Sequence, residues 1–370
     1  MNDTLSQDFP EDISDAEEMT RIGLKYWDGD GVPQDYSQAM QWYQKAADLG
    51  YAKAMTNIGC LYDSGDGVDQ DYDKAMQWYL KAADLGDVMA MRYIGIMYEY
   101  GQGVNQDYIE AMQWYQIAAD GGDAEAITYI GNFYRRGDSV TQDFEQAMQW
   151  YKKAADLGDA EAMFNIGWLY SEGEGVAQDY NQAMQWYQKA AEKGDVEAMF
   201  QIGWAYCNGE GVEQNYREAM KWFVKAADLG NDDAMYQIGL LYGRALGVHR
   251  NFSRTMQWFR KAAELGNAEA MTHIGYLYEH GHGVEENLDT AIDWWKKAAD
   301  LGNEDGHGYL LVWASKENAH ALYEFGDLYM KGHCMSRSYD SAISYWRRAA
   351  ALGNKNAIEA LKAHEESRIE

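Results

Sequence analysis

One interval governs this chain. The phrase Ala-Met-Gln-Trp-Tyr returns every 36 residues, setting Trp42, Trp78, Trp114, Trp150 and Trp186 in step, and Trp222, Trp258 and Trp294 continue it with slightly different neighbours. A period of this size marks a solenoid, in which each unit packs mainly on the next, so the length of 370 residues does not by itself set a domain count.

The clearest copy runs from Asp159 to Gly194 and reads as two helices. Helix A carries Ala162, Met163, Ile166, Gly167 and Tyr170, and a turn with Gly173, Gly175, Val176 and Gln178 follows. Helix B opens at Asp179, placed as an N-cap, and Gln182 three residues later completes the pattern of a capping box. Asp35 with Gln38, Asp107 with Glu110, Asp143 with Gln146 and Asn215 with Glu218 repeat the arrangement. Helix B ends at a glycine such as Gly158, where the chain needs a left-handed residue, and Asp159 at once caps the next helix A. Only 2 Pro beside 37 Gly suits helices that are stopped by glycine. Links this short force successive helices to pack antiparallel.

These residues resemble the Sel1-like repeats, relatives of the tetratricopeptide repeats, in nine copies covering about Ser14 to Gly353 apart from one insertion. Departures are local: Ser139 and Cys334 replace the second turn glycine, Ala245 the first, and Tyr345 the helix-B tryptophan. The resemblance implies an all-α fold, a right-handed α/α superhelical solenoid of helix-turn-helix repeats, used as an adaptor without a shared catalytic site. Some secreted cysteine-rich members of the family are linked to β-lactam hydrolysis, but the recurrent cysteine pairs are absent here and no Ser–Lys or metal-ligand pattern recurs.

The expected organisation is an acidic, frayed tail over 1–13, eight repeats over 14–302, an inserted helical segment over 303–317, a ninth repeat over 318–353, and a capping helix over 354–370. Asn303 and Asn318 both stand where a helix A should begin, so the insertion reads as a degenerate helix A whose Leu310, Leu311 and Trp313 give it an apolar side. It either fills a bend in the solenoid or serves as a docking element.

On a helical wheel with the helix-A glycine at zero, the recurring apolar positions span about 200° to 360°, and the positions that change type between copies span about 40° to 160°. One face packs, and the other is open to specialise. Helix B has a polar side of Gln182, Gln185, Gln188, Lys189 and Glu192, which makes it the outer helix and leaves helix A to line the concave groove. The variable helix-A face carries Arg92, Arg135 and Arg136 in early copies, with Thr20, Thr56, Thr128 and Asn132. Later copies carry Phe164, Trp168, Phe200, Trp204, Tyr236, Leu240 and Tyr276. Aromatics on a face that need not pack are candidate anchors for a partner, with the arginines placed to hold a carboxylate; the competing reading is that the rings fill a narrow groove by stacking on each other.

A formal charge of −29 and a pI near 4.5 argue against binding a phosphate backbone and suit a basic partner. Cys60, Cys207 and Cys334 form no disulfide framework, which points to a reducing compartment, and neither a secretory signal nor a membrane span is legible, so a cytoplasmic protein is expected. His273, His280 and His282 lie beside Glu279 near one helix end, where dipole and capping roles outweigh a metal site, and the Asp-rich turns such as Asp63 to Asp71 lack the ligand order of a calcium loop. The expectation is therefore a non-catalytic scaffold with no cofactor that binds a protein or peptide in its groove. An immunity or inhibitor protein neutralising a basic effector is the alternative.

Overall fold

The computed structural model describes residues 13–332 and 336–366, and all regular structure among them is helical. Residues 1–12 of the expected tail, residues 367–370 and Cys334 lie outside the described residues. The described residues divide into two compact units, one up to residue 193 and one from residue 194.

The first unit contains α1 (Ile13–Asp28), α2 (Tyr36–Asp48), α3 (Ala52–Ser64), α4 (Tyr72–Asp84), α5 (Val88–Tyr100), α6 (Tyr108–Asp120), α7 (Ala124–Arg136), α8 (Phe144–Asp156), α9 (Ala160–Glu172) and α10 (Tyr180–Glu192). The second contains α11 (Val196–Asn208), α12 (Tyr216–Asp228), α13 (Asp232–Arg244), α14 (Phe252–Glu264), α15 (Ala268–Glu279), α16 (Leu288–Asp300), α17 (Glu304–Ser315), α18 (Ala319–Lys331), α19 (Tyr339–Ala351) and α20 (Lys355–Glu366). The helices pair as A and B hairpins, except α17, which is the inserted segment, and α20, which follows the last hairpin.

The ends of the helices follow from their sequence. At Gly158 (φ 94°) the Gly158 N–H donates to the Ala155 carbonyl at 2.9 Å and the Asp159 N–H to the Ala154 carbonyl at 3.1 Å, a Schellman closure that only a left-handed residue permits. The helix-B caps form only half of the expected capping box. Asp179 accepts from the Gln182 N–H at 3.0 Å, but its own N–H is donated back across the turn to the Tyr170 carbonyl at 2.9 Å. That bond recurs in all nine hairpins at 2.8–3.1 Å and takes the donor that a capping-box side chain would need. Gln178 adds a second strap, its amide donating to the Ser171 carbonyl at 2.7 Å and the Tyr180 hydroxyl at 3.0 Å. Where turn glycines are replaced, the replacements take on their strain: Ser139 and Ala245 sit at φ 58° and 60°.

Within each hairpin the helix-A glycine is a socket for a helix-B ring. A Cβ on Gly131 would lie 2.5 Å from the Tyr151 ring, and one on Gly239 would lie 2.5 Å from the Phe259 ring. The Trp-Tyr pair of helix B therefore divides its work. Tyr187 enters the core, whereas Trp186 stays half-buried with the Lys189 ammonium 3.8 Å above its ring. The same lysine-on-tryptophan contact covers Trp42, Trp78, Trp150, Trp222, Trp258 and Trp294.

Candidate partner-binding face and cavity

In the first unit the variable face is largely occupied by the protein itself, which corrects the expectation of open cations. Arg92 is 8% exposed, with its Nη1 2.6 Å from Glu125 and its Nε 3.1 Å from Asp123. Asp123 is also the N-cap of α7, accepting from the Ala126 N–H at 2.7 Å, so Arg92 ties α5 to the start of the next helix A. Thr128 does the same in the following copy, donating to the α9 cap Asp159 at 2.8 Å. Arg136 is held 2.6 Å from the buried carboxylate of Glu99, which also accepts from the Tyr115 hydroxyl at 2.6 Å, and it bonds Asp138 as well. Arg135 lies over the ring of Trp168, 5.2 Å from its centroid. Phe164 packs on Tyr187, with ring centroids 5.7 Å apart. The arginines do not gather into a carboxylate site.

The second unit differs. Phe200 and Tyr236 again pack on helix-B rings, those of Phe223 and Phe259, at 5.6 and 5.5 Å. Trp204 and Tyr276, one position past the helix glycine, remain 39% and 37% exposed. Leu240 and Tyr276 open onto a cavity of about 800 Å³ between three successive A-type helices, α13, α15 and α17, with α14 behind them. Leu240 and Gly243 come from α13, Thr255 and Phe259 from α14, and His273 and Tyr276 from α15. Gly308, Tyr309 and Val312 come from α17. The inserted helix thus turns Leu310 and Ala314 into the core and faces Tyr309 and Val312 to the cavity. Four charged side chains also line it: Arg244, Arg250, Glu304 and Asp305.

His273 hydrogen-bonds through Nδ1 to the Glu269 carbonyl at 3.0 Å, and burial pushes its pKa down; burial pushes the Tyr236 hydroxyl up to about 12. The three histidines do not converge as ligands: His280 bonds the Tyr276 carbonyl at 3.0 Å, and His282 stacks on Phe252 with centroids 4.6 Å apart. A different trio has metal-ligand spacing. Asp293 on α16 and His320 and Glu324 on α18 place three ligand-type atoms within 4.8 Å of one another, a grouping that sequence spacing did not expose. His320 Nε2 is 2.8 Å from Asp293, and the Lys296 ammonium lies 3.9 Å from Glu324, so a fixed positive charge already faces the group.

The model of the Sel1 repeat matches residues 19–51, 52–87, 88–123, 124–159, 160–195, 196–231, 232–267, 268–303 and 319–354, skipping the inserted helix. Among solved structures, a protective antigen of uropathogenic Escherichia coli strains displaying an SLR fold is 31% identical, with a TM-score of 0.59 over 92% of this chain and 78% of that one. A Sel1 repeat protein from Oxalobacter formigenes is 34% identical, with a TM-score of 0.61 over 66% of this chain and 98% of that one. The human IFIT1 dimer with PPP-AAAA, at 14% identity and a TM-score of 0.55 over 92% of this chain and 85% of that one, shares the fold alone. Comparison with curated proteins gives no match. With nine matched copies over most of its length, the chain belongs to the Sel1 repeat family.

Proposed function

We propose that the chain is a non-catalytic scaffold that holds a protein or peptide partner on the A-helix face of its second unit. The observation that carries this reading is the cavity among α13, α15 and α17: it is lined by the positions that vary between copies, at a place where Tyr276 and Val312 keep 37% and 47% of their surface exposed. In several other copies the position three before the helix glycine is taken up by ring stacking or by a bond to the next helix cap. Trp204, Leu240 and Tyr276 are the anchors that the second unit contributes, and Phe200 and Tyr236, packed on the rings of Phe223 and Phe259, support them from below. Phe164, Trp168 and the three arginines act chiefly as structure. A charge of −29 favours a partner with a net positive surface, and approach would be faster at low salt.

A photoreactive residue tests the face directly. Benzoylphenylalanine at Val312 should form an adduct with one discrete protein in the native cell. The same residue at the exposed helix-B position Gln257 should form none. Equal adducts from both positions, or none from Val312, would refute the assignment.

A further inference from the structure

We propose that the cavity of the second unit receives a dipolar peptide segment: one large aromatic or aliphatic side chain inside, an acidic group against Arg244 and Arg250, and a basic group against Glu304 and Asp305. This deepens the scaffold reading and rests on it.

The space has a specific origin. Gly308 stands at the position three before the one equivalent to the helix glycine, where Phe164, Phe200 and Tyr236 put rings in other copies. A Cβ there would meet nothing within 4 Å. Its neighbour Gly306 has a packing reason, since a Cβ would come 2.8 Å from Ala298 Cβ and 2.9 Å from the Trp295 carbonyl. Gly308 has none, and a glycine inside a helix is destabilising. Across the cavity, Gly243 occupies a position where the other copies carry side chains as large as Trp27, Glu99 and Arg135. A Cβ at Gly243 would meet Thr255 Oγ1 at 3.3 Å, so that side of the wall is closed by Thr255, and it is the missing side chain at Gly308 that leaves room of a size suited to a short peptide segment.

The ring walls are already packed against neighbouring rings. Tyr309 is stacked on Trp295 at 4.8 Å, Phe252 on His282 at 4.6 Å and Tyr276 on His280 at 4.1 Å, so each ring is held from one side before any guest arrives. The charges select the guest. Among the described residues, Arg244, Arg250, Glu304 and Asp305 form no ion pair, although Lys296, Lys331 and Arg348 of the same unit do. An anion alone would meet the two carboxylates, and a cation alone the two guanidiniums. A segment with opposite charges flanking an apolar side chain offers a partner to the guanidiniums and to the carboxylates alike.

The test uses the full chain and three blocked peptides in isothermal titration: acetyl-Asp-Gly-Trp-Gly-Lys-amide, its reverse acetyl-Lys-Gly-Trp-Gly-Asp-amide, and the uncharged acetyl-Gln-Gly-Trp-Gly-Gln-amide. One of the charged pair should bind at least 10-fold tighter than the uncharged peptide, with the margin shrinking as salt rises. Gly308→Leu should abolish binding of all three without lowering Tm. Combined Arg244→Gln and Asp305→Asn should erase the margin and leave the uncharged peptide unaffected, which keeps the idea testable if Gly308→Leu folds poorly. Equal affinity for the three peptides, or binding that survives Gly308→Leu, overturns the proposal. If the Val312 adduct still forms in that event, the partner docks on the face without using the cavity; if the adduct is also missing, the scaffold reading itself fails.

Discussion

Two identical substitutions should have opposite effects. Gly131→Ala and Gly308→Ala each exchange a helical glycine for the best helix former, which alone stabilises by about 1 kcal/mol. At Gly308 nothing lies within 4 Å of the new methyl, so that gain should appear undiminished. At Gly131 the methyl would lie 2.5 Å from Tyr151 Cε1, against a contact optimum of about 3.5 Å or more. The ring is fully buried and its hydroxyl donates to Asn132 at 2.7 Å, so it cannot yield without losing that bond. Overpacking of this kind costs about 1–3 kcal/mol and the bond about 1 kcal/mol, which leaves Gly131→Ala net destabilising by about 1–3 kcal/mol. Repeat arrays need not unfold in one step, so amide exchange followed by mass spectrometry, with α7–α8 and α17 read separately, is the suitable assay. In a Tyr151→Ala background the Gly131→Ala effect should become neutral or favourable. If Gly131→Ala stabilises α7–α8 as Gly308→Ala stabilises α17, the ring-in-socket account of the hairpin is wrong.

Other outcomes follow from the same structure. Ala245→Gly and Ser139→Gly relieve left-handed backbone and should each raise stability by about 1 kcal/mol in denaturant titration. Arg92→Ala leaves the partly buried Asp123 cap without its partner, so it should destabilise the first unit by about 1–3 kcal/mol and leave the Val312 adduct intact. Trp204→Ala should weaken partner binding roughly 30-fold with little change in Tm, since that ring is 39% exposed. Burial pushes the Glu324 carboxyl up from 4.5 to about 7, against the opposing pull of Lys296 and His320. Between those values the folded state holds a proton that the unfolded state has released, so stability falls as pH rises from 4.5 to 7, and Glu324→Gln should flatten that slope in exchange rates of α18.

The period, the caps and the glycine stops were legible because each is a local pattern repeated in register. The use of the variable face was not, because a wheel drawn for one helix says nothing about which carboxylates the next repeat brings alongside. A signal existed nonetheless. Arg92 to Asp123, Thr128 to Asp159 and Thr272 to Asn303 are all 31 residues apart, so a residue of the variable face regularly reaches the following helix cap. Reading that offset beside the 36-residue interval would have assigned Arg92 to structure. The aromatics divided by position: those three before the helix glycine, Phe164, Phe200 and Tyr236, stack on helix-B rings, while those one after it, Trp204 and Tyr276, stay exposed.

Several departures from the repeat gather near the cavity proposed above as the partner site. Gly243 for a larger residue, Ala245 at φ 60°, Thr255 for the usual alanine, Gly308 in mid-helix and the additional helix α17 all fall between α13 and α17. The Thr255 hydroxyl is placed to donate to the Gly239 carbonyl at 3.1 Å or the Asn251 carbonyl at 3.2 Å, and Gly239 is the same glycine that receives the Phe259 ring. A left-handed alanine and a helical glycine over open space each lower stability where simpler residues serve elsewhere in the chain. In a solenoid such losses are felt mainly by adjacent repeats, so one segment can carry several of them while regular neighbours hold it folded. Gly243, Thr255, Gly308 and α17 all line the one cavity, which fits the partner-binding role proposed for it better than independent drift does.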